Sequence, residues 1–241
     1  MKIKRMWQYL ERTERLNFDA PAIQTLVADR GWSNLPEKER IASIYHFVRD
    51  EIPFGYNADD GLTAAAVLED GMGQCNTKAT LLMALLRAVG IPCRLHGFTI
   101  HKLLQKGAQT GLVYWLSPRE IVHSWVEVLY DGRWCVTEGV ILDSRYLRAV
   151  QKRFGDCRGS FCGYGVATED LQHPAVDWNG NDTYIQREGI VRDFGVFASP
   201  DAFLEQHGQA WSPCKQWLYV HVGRKWMNRN VKRMRSFAPC D

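Results

Sequence analysis

Residues 73–90 read GQCNTKATLLMALLRAVG, and the rest of the chain is most readily placed from them. From Cys75 onward the apolar positions Ala79, Leu82, Met83, Leu86 and Val89 recur at helical spacing, with Leu81 and Leu85 beside them. The pattern predicts a helix of about four turns that is buried on most sides. Gly90 stands where a left-handed cap is expected, and Pro92 follows it. The helix begins at a cysteine, immediately after the Gly-rich loop Asp70–Gln74. A thiol there faces unsatisfied backbone N–H groups and the positive end of the helix dipole, both of which favour thiolate. The same N–H groups can hold the oxyanion formed when a thiolate attacks a carbonyl. Cys75 is therefore the candidate nucleophile, with Gly73 and Gln74 as the candidate oxyanion and substrate loop.

A nucleophile needs a base and a group to orient that base. Downstream, strand-like runs cover 93–100, 122–130 and 133–137. Asp131-Gly132 between the last two is a strong hairpin signal. His123 opens the first strand of that hairpin and shares a face with Trp125 and Glu127. Pairing around the turn brings Glu138 beside the beginning of that strand. A carboxylate there can accept the second imidazole N–H and fix the tautomer. Glu138 is the favoured third member; Glu127, on the same face as His123, and Asp143, past the strand end, are weaker alternatives.

Upstream, 1–35 reads as one or two short polar helices. Leu35-Pro36 opens a further helix that Pro53 and Gly55 end, and Ala64–Leu68 is a short helix. Helices followed by antiparallel strands indicate an α+β domain. Beyond Asp143 a helix is expected over 142–153, a Gly-rich segment over 155–165, a short helix over 200–207 and a strand over 215–222. Residues 166–198 have no clear pattern. Tyr164, Trp178, Phe194 and Phe197 are candidates to line a substrate pocket.

The composition is that of a folded domain: 241 residues, 46% hydrophobic and 12% aromatic, with a net charge of +3. The charge is uneven. Residues 221–241 carry six Lys and Arg against Asp241, giving +5 there and −2 elsewhere. The tail has the charge to suit nucleic acid, but a solvated helix face is the simpler expectation, and nucleic acid is not an expected partner. No stretch of 18 apolar residues and no signal-like N-terminus occur, so a cytoplasmic protein without a membrane span is expected. Seven cysteines without an export signal point to free thiols. Cys93, Cys135, Cys157, Cys162, Cys214 and Cys240 are expected to be small buried hydrophobes. No second ligand pair accompanies Cys157 and Cys162, and residues 155–165 lack the Lys-Ser/Thr of a phosphate loop. No metal and no cofactor are expected, and the oligomeric state is open.

Two blocks together carry a family resemblance. GQCNTKATLLMALLRAVGIPCR (73–94) followed by HSWVEVLYDGRWCVTE (123–138) resembles the transglutaminase-like superfamily. IYHFVRDEIPFGYN (44–57) is similar to the segment that precedes the cysteine in that family. The resemblance covers about 36–143, with 144–241 as an extension that completes the sheet or pocket of one domain. It implies a papain-like α+β fold, N-terminal helices packed with the nucleophile helix on an antiparallel sheet, and a Cys-His-acid triad of Cys75, His123 and Glu138. The family usually has Asp where this chain has Glu138. The resemblance implies an enzyme that acts on an amide or thioester through an acyl-Cys75 intermediate, passing the acyl group of a peptide, protein or small molecule to an amine or to water. A catalytically inactive scaffold, or a binding module built on the basic tail, is the alternative.

Overall fold

A computed structural model describes residues 6–208 and 212–237. Helices α1 (Pro21–Asp29) and α2 (Glu37–His46) lead, through a π-helical turn at Phe47–Glu51, to α3 (Ala64–Asp70) and α4 (Cys75–Ala88). The strands β1 (Cys93–His101), β2 (Glu120–Tyr130), β3 (Arg133–Val136) and β6 (Ile190–Phe197) form one antiparallel sheet in the order β3-β2-β1-β6. A short helix α5 (Gly111–Leu116) links β1 to β2. Between β3 and β6 lie a 3₁₀ turn (Glu138–Val140), α6 (Ser144–Arg153) and the small hairpin of β4 (Phe161–Gly163) and β5 (Val166–Thr168). After β6 come α7 (Pro200–His207), α8 (Pro213–Leu218), a π-helical turn (Tyr219–Gly223) and α9 (Arg224–Arg235).

The α+β architecture is as expected. Helix α4 is buried along Asn76–Arg87 and packs on β1 and β2, so the residues flanking its apolar face are also core. Val67, Leu82, Leu86, Leu95, Val126 and Val128 join that core. A second, smaller cluster of Phe98, Ile100, Trp125 and Val136 is built on the alternate residues of the same strands. Asp131 (φ 48°) and Gly132 (φ 74°) form the hairpin turn between β2 and β3, with the two positive φ values that match strand twist. Gly97 has a local reason to be glycine. A Cβ there would lie 2.2 Å from the ring of Phe203, which rests on β1.

Three expectations beyond Asp143 need correction. Residues 215–222 are not a strand: α8 and the following π-helical turn carry the chain through them into α9. The run Trp217-Leu218-Tyr219-Val220, apolar and rich in aromatic and β-branched side chains, imitates a strand. The true inward face is Tyr219, Gly223, Met227 and Val231, at four-residue steps. Nor do the four aromatics line one pocket. Trp178 is buried against Tyr130, Tyr164 packs on Phe154, and Phe194 and Phe197 surround Phe203 and His207. Cys93 and Cys135 are buried as expected, whereas Cys157 is half-buried and Cys162 and Cys214 are exposed on short surface elements. Cys240 lies outside the described residues. The described cysteines are all free.

Candidate active site

The site follows from the shortness of β3. Val126 of β2 accepts a hydrogen bond from the Thr137 amide (2.9 Å), and there the pairing of β3 with β2 stops. The chain then turns away through Glu138–Val140. Residues two and four positions earlier on β2, Ser124 and Val122, present backbone groups to the same edge but find no strand. The N-terminus of α4 fills this notch. Asn76, buried at 4% exposure, accepts a hydrogen bond from the Ser124 hydroxyl (2.8 Å) and donates to the Val122 carbonyl (3.4 Å). It thereby grips the residues on both sides of His123.

Cys75 is the first residue of α4 and half-buried. Its sulfur faces the amides of Asn76, Ser124 and Cys75 itself, which favour thiolate. Burial and the nearby Asp60 carboxylate outweigh them and push the thiol pKa up. The helix-terminus effect read from sequence is present but is not the largest contribution. Asp60 is itself raised by burial, though Gln74 donates to it (2.5 Å) and Asn76 also supports its charge. Tyr56 stands close enough for its phenol to respond to the thiol, and its hydroxyl donates to Gln105.

His123 is 1% exposed and lies edge-on to Phe98, ring centroids 4.8 Å apart. Its Nε2 is 3.9 Å from Oε1 of Glu138, which is itself fully buried. This is ion-pair range rather than a direct hydrogen bond. Neither ring nitrogen has a hydrogen-bond partner, nor does Glu138 Oε1. The other carboxylate oxygen accepts the amides of Ile185 (2.9 Å) and Gln186 (3.0 Å). Burial lowers His123 to about 3 and raises Glu138 to about 7. At neutral pH the ring is thus uncharged and the carboxyl is near its midpoint.

The remaining candidates are engaged elsewhere. Glu127 pairs with Arg94 (2.6 Å) and His96 (2.9 Å). Asp143 caps α6 by accepting from Tyr146, also accepts from Phe54, and pairs with Arg235. Gly73 and Gln74 do not offer free amides for an oxyanion. The Gly73 N–H donates to the Pro53 carbonyl (3.1 Å), and the Gln74 N–H to the Thr77 hydroxyl (2.9 Å). The amides that do face the sulfur belong to Cys75, Asn76 and Ser124. A Cβ on Gly73 would lie 2.7 Å from Lys78, so its glycine serves close packing against α4.

Several site residues escaped the sequence reading. Lys78, fully buried one turn beyond Cys75, donates to the carbonyls of Arg49 (3.0 Å) and Ile141 (3.1 Å). It ties α4 to the end of the turn that carries Glu138, and burial lowers it to about 7. Thr77 bonds to Asn57 (2.7 Å). The available signal was the polar run Asn76-Thr77-Lys78 inside a helix read as buried on most sides. Ile185 and Gln186 had no such signal. Asn228 of α9 fixes the loop bearing Tyr56, accepting from its amide (2.7 Å) and donating to its carbonyl (3.0 Å). Among the described residues no group of His, Cys, Asp and Glu is arranged to hold a metal.

Residues 24–138 match the family model described as the transglutaminase-like superfamily, a span that ends on Glu138. This segment is similar to the core of that superfamily. The core begins upstream of the residue-36 boundary expected from sequence and stops short of Asp143. An 80-residue stretch is 31% identical to the uncharacterised protein YebA of Bacillus subtilis (strain 168), covering 33% of this chain and 11% of YebA. A crystal structure of a candidate cysteine protease from Cytophaga hutchinsonii is similar at a TM-score of 0.48 and 14% identity, over 82% of this chain and 48% of that one. The chain thus spans about a tenth of the length of one relative and about half of the other. The family match supports a cysteine-based enzyme in the broad sense, with the acyl acceptor unspecified. No helix among the described residues is long and apolar enough to cross a membrane.

Proposed function

We propose that Cys75 captures the acyl group of an amide or thioester and passes it to an amine or to water. The observation that carries this reading is the notch beside β3, where Asn76 docks the residue after the thiol onto both neighbours of His123. In the working state Glu138 is ionised and accepts the Nε2–H of His123, which leaves Nδ1 free to take the thiol proton. The thiolate attacks the carbonyl carbon, and the amides beside the sulfur stabilise the oxyanion. The imidazolium then gives its proton to the leaving amine or thiolate, and the acyl-cysteine forms. In deacylation Nδ1 takes a proton from the incoming amine or water and returns it to the sulfur. The apo site is looser than this sequence requires, as catalytic hydrogen bonds commonly are before substrate binds. The Asp60 carboxylate, within electrostatic reach of the sulfur, can draw a cationic substrate group towards the site.

Mass spectrometry of the intact protein with libraries of amides and thioesters tests the reading. An acyl adduct is expected on the wild type and none on Cys75→Ala. A folded wild type that captures no acyl group would refute it. One observation favours a second reading, an inactive scaffold: both imidazole nitrogens lack partners and the thiol is pushed towards its neutral form. In that case Cys75 would alkylate no faster than a model thiol.

A further inference from the structure

We infer a binding site for a phosphate group in the cavity between α6 and α9, lined by Arg153, Arg233, Thr110, Asn230, Tyr164 and Phe237. The cavity is open to solvent on one side and has a volume of about 400 Å³, and none of these residues is among those around Cys75. The two guanidiniums are donor-only groups, and neither has a carboxylate partner among the described residues. Arg153 is held by aromatic rings, its guanidinium carbon 5.0 Å from the centroid of Phe237 and 5.5 Å from that of Tyr164. Cation–π contacts of this kind fix the planar group and leave its N–H edge available. The Tyr164 ring is fixed in turn: it lies over Gly107 (φ 98°), where a Cβ would come within 2.4 Å of it.

Thr110 adds a directional argument. Its hydroxyl oxygen accepts from the Trp226 indole (3.1 Å) and from the Asn230 side-chain amide (3.2 Å). A hydroxyl has two acceptor positions and one proton. With both acceptor positions taken, Thr110 can only donate, and no acceptor for it is present among the described residues. The Asn230 amide is likewise committed, to Thr110 and to the Ala108 carbonyl (3.2 Å). The cavity therefore offers two guanidinium forks and one forced O–H donor, a set that calls for an oxyanion with several acceptor atoms. Phosphate fits better than a carboxylate because it has oxygens for both forks and the hydroxyl at once. The surroundings are cationic as well: residues 212–237 hold seven Lys and Arg and no Asp or Glu.

A phosphomonoester could arrive in solution or as a lipid headgroup, since Trp226 (50% exposed) and Val222 (52% exposed) flank the same helix. Titration calorimetry with inorganic phosphate, at ionic strength matched by chloride, reads the site directly. Saturable phosphate binding is expected, with Arg233→Gln raising Kd at least ~10-fold and Thr110→Val raising it roughly 3- to 10-fold. Arg229→Gln, exposed on α9 outside the cavity, should leave Kd unchanged. Circular dichroism confirms the fold of each variant; Arg233 is an exposed residue, so its replacement spares the core. Cosedimentation with phosphatidylcholine vesicles with and without phosphatidic acid identifies the source. Capture by phosphatidic acid that Arg233→Gln abolishes indicates a headgroup; binding of phosphate without capture indicates a soluble ligand. Absence of both phosphate binding and phosphatidic acid capture, equal displacement by chloride, or equal weakening by Arg229→Gln and Arg233→Gln would each overturn the inference.

Discussion

Replacing Glu138 with Gln should make the protein more stable at pH 8 while making it a poorer catalyst. Glu138 is fully buried and its carboxyl is raised from 4.5 to about 7. A folded-state value above the unfolded one means that the folded protein binds the extra proton between these limits. Stability from this group is therefore lost as pH rises from about 4.5 through 7, and the loss is complete above 7. A shift of this size corresponds to ~3 kcal/mol. His123 acts in the opposite sense. Its folded value of about 3 lies below 6.5, so stability is lost as pH falls from 6.5 towards 3. Between about 4.5 and 6.5 the unfolded chain carries its proton on His123 and the folded chain carries it on Glu138, so the two slopes cancel. Glu138→Gln removes only the acid's part. Its carbonyl can still accept from Ile185 and Gln186, so packing is retained. The variant's advantage over wild type should grow by up to ~3 kcal/mol between pH 5 and pH 8, or roughly 6–12 °C in Tm for a chain of this size. Urea denaturation at the two pH values measures it. An advantage that does not change with pH would refute the proton assignment, because only a titrating carboxyl produces the difference. In the same variant the rate of acyl capture should fall by ~10²-fold or more, since the amide can no longer hold the imidazole in the productive tautomer.

Other outcomes follow from neighbouring contacts. Asn76→Ala removes the 2.8 Å and 3.4 Å bonds to β2 and should cost ~2 kcal/mol of stability. It should also slow Cys75 acylation by ~10²-fold through misplacement of the thiol against His123, and an acylation rate equal to wild type would remove Asn76 from the site. Near Asp60, a cationic methanethiosulfonate should modify Cys75 faster than an anionic one, by roughly 10-fold at low salt. Asp60→Asn should erase that preference, and a preference that persists in the variant would place its source elsewhere.

Much of the frame was legible in the sequence because its signals are local. Asp131-Gly132 allows few alternatives to a tight hairpin, and the helical period after Cys75 is strong. Counting back from that turn puts Glu138 level with Trp125, a neighbour of His123 on the same face, and the turn at Glu138–Val140, where pairing has ended, sets the 3.9 Å approach to His123. What could not be read depends on partners far along the chain. The amides that hold Glu138 come from residues 185 and 186, and the loop bearing Tyr56 is pinned by Asn228. The hydrogen bonds from the Gly73 and Gln74 amides to Pro53 and Thr77 were not legible in sequence either. Residues 215–222 were misread because a short apolar run of aromatic and β-branched residues suits a strand and a buried helix turn equally.

The cradle of Glu138 bears on the order in which a working site can come into being during synthesis. Cys75, His123 and Glu138 leave the ribosome before Ile185 and Gln186, whose amides hold the acid. At ordinary elongation rates that gap lasts ~2–10 s. Throughout it the nascent chain carries every residue of the span that matches the family model but no seat for the Glu138 carboxylate. Under the proposed function, the acid that orients His123 is therefore seated only late in translation.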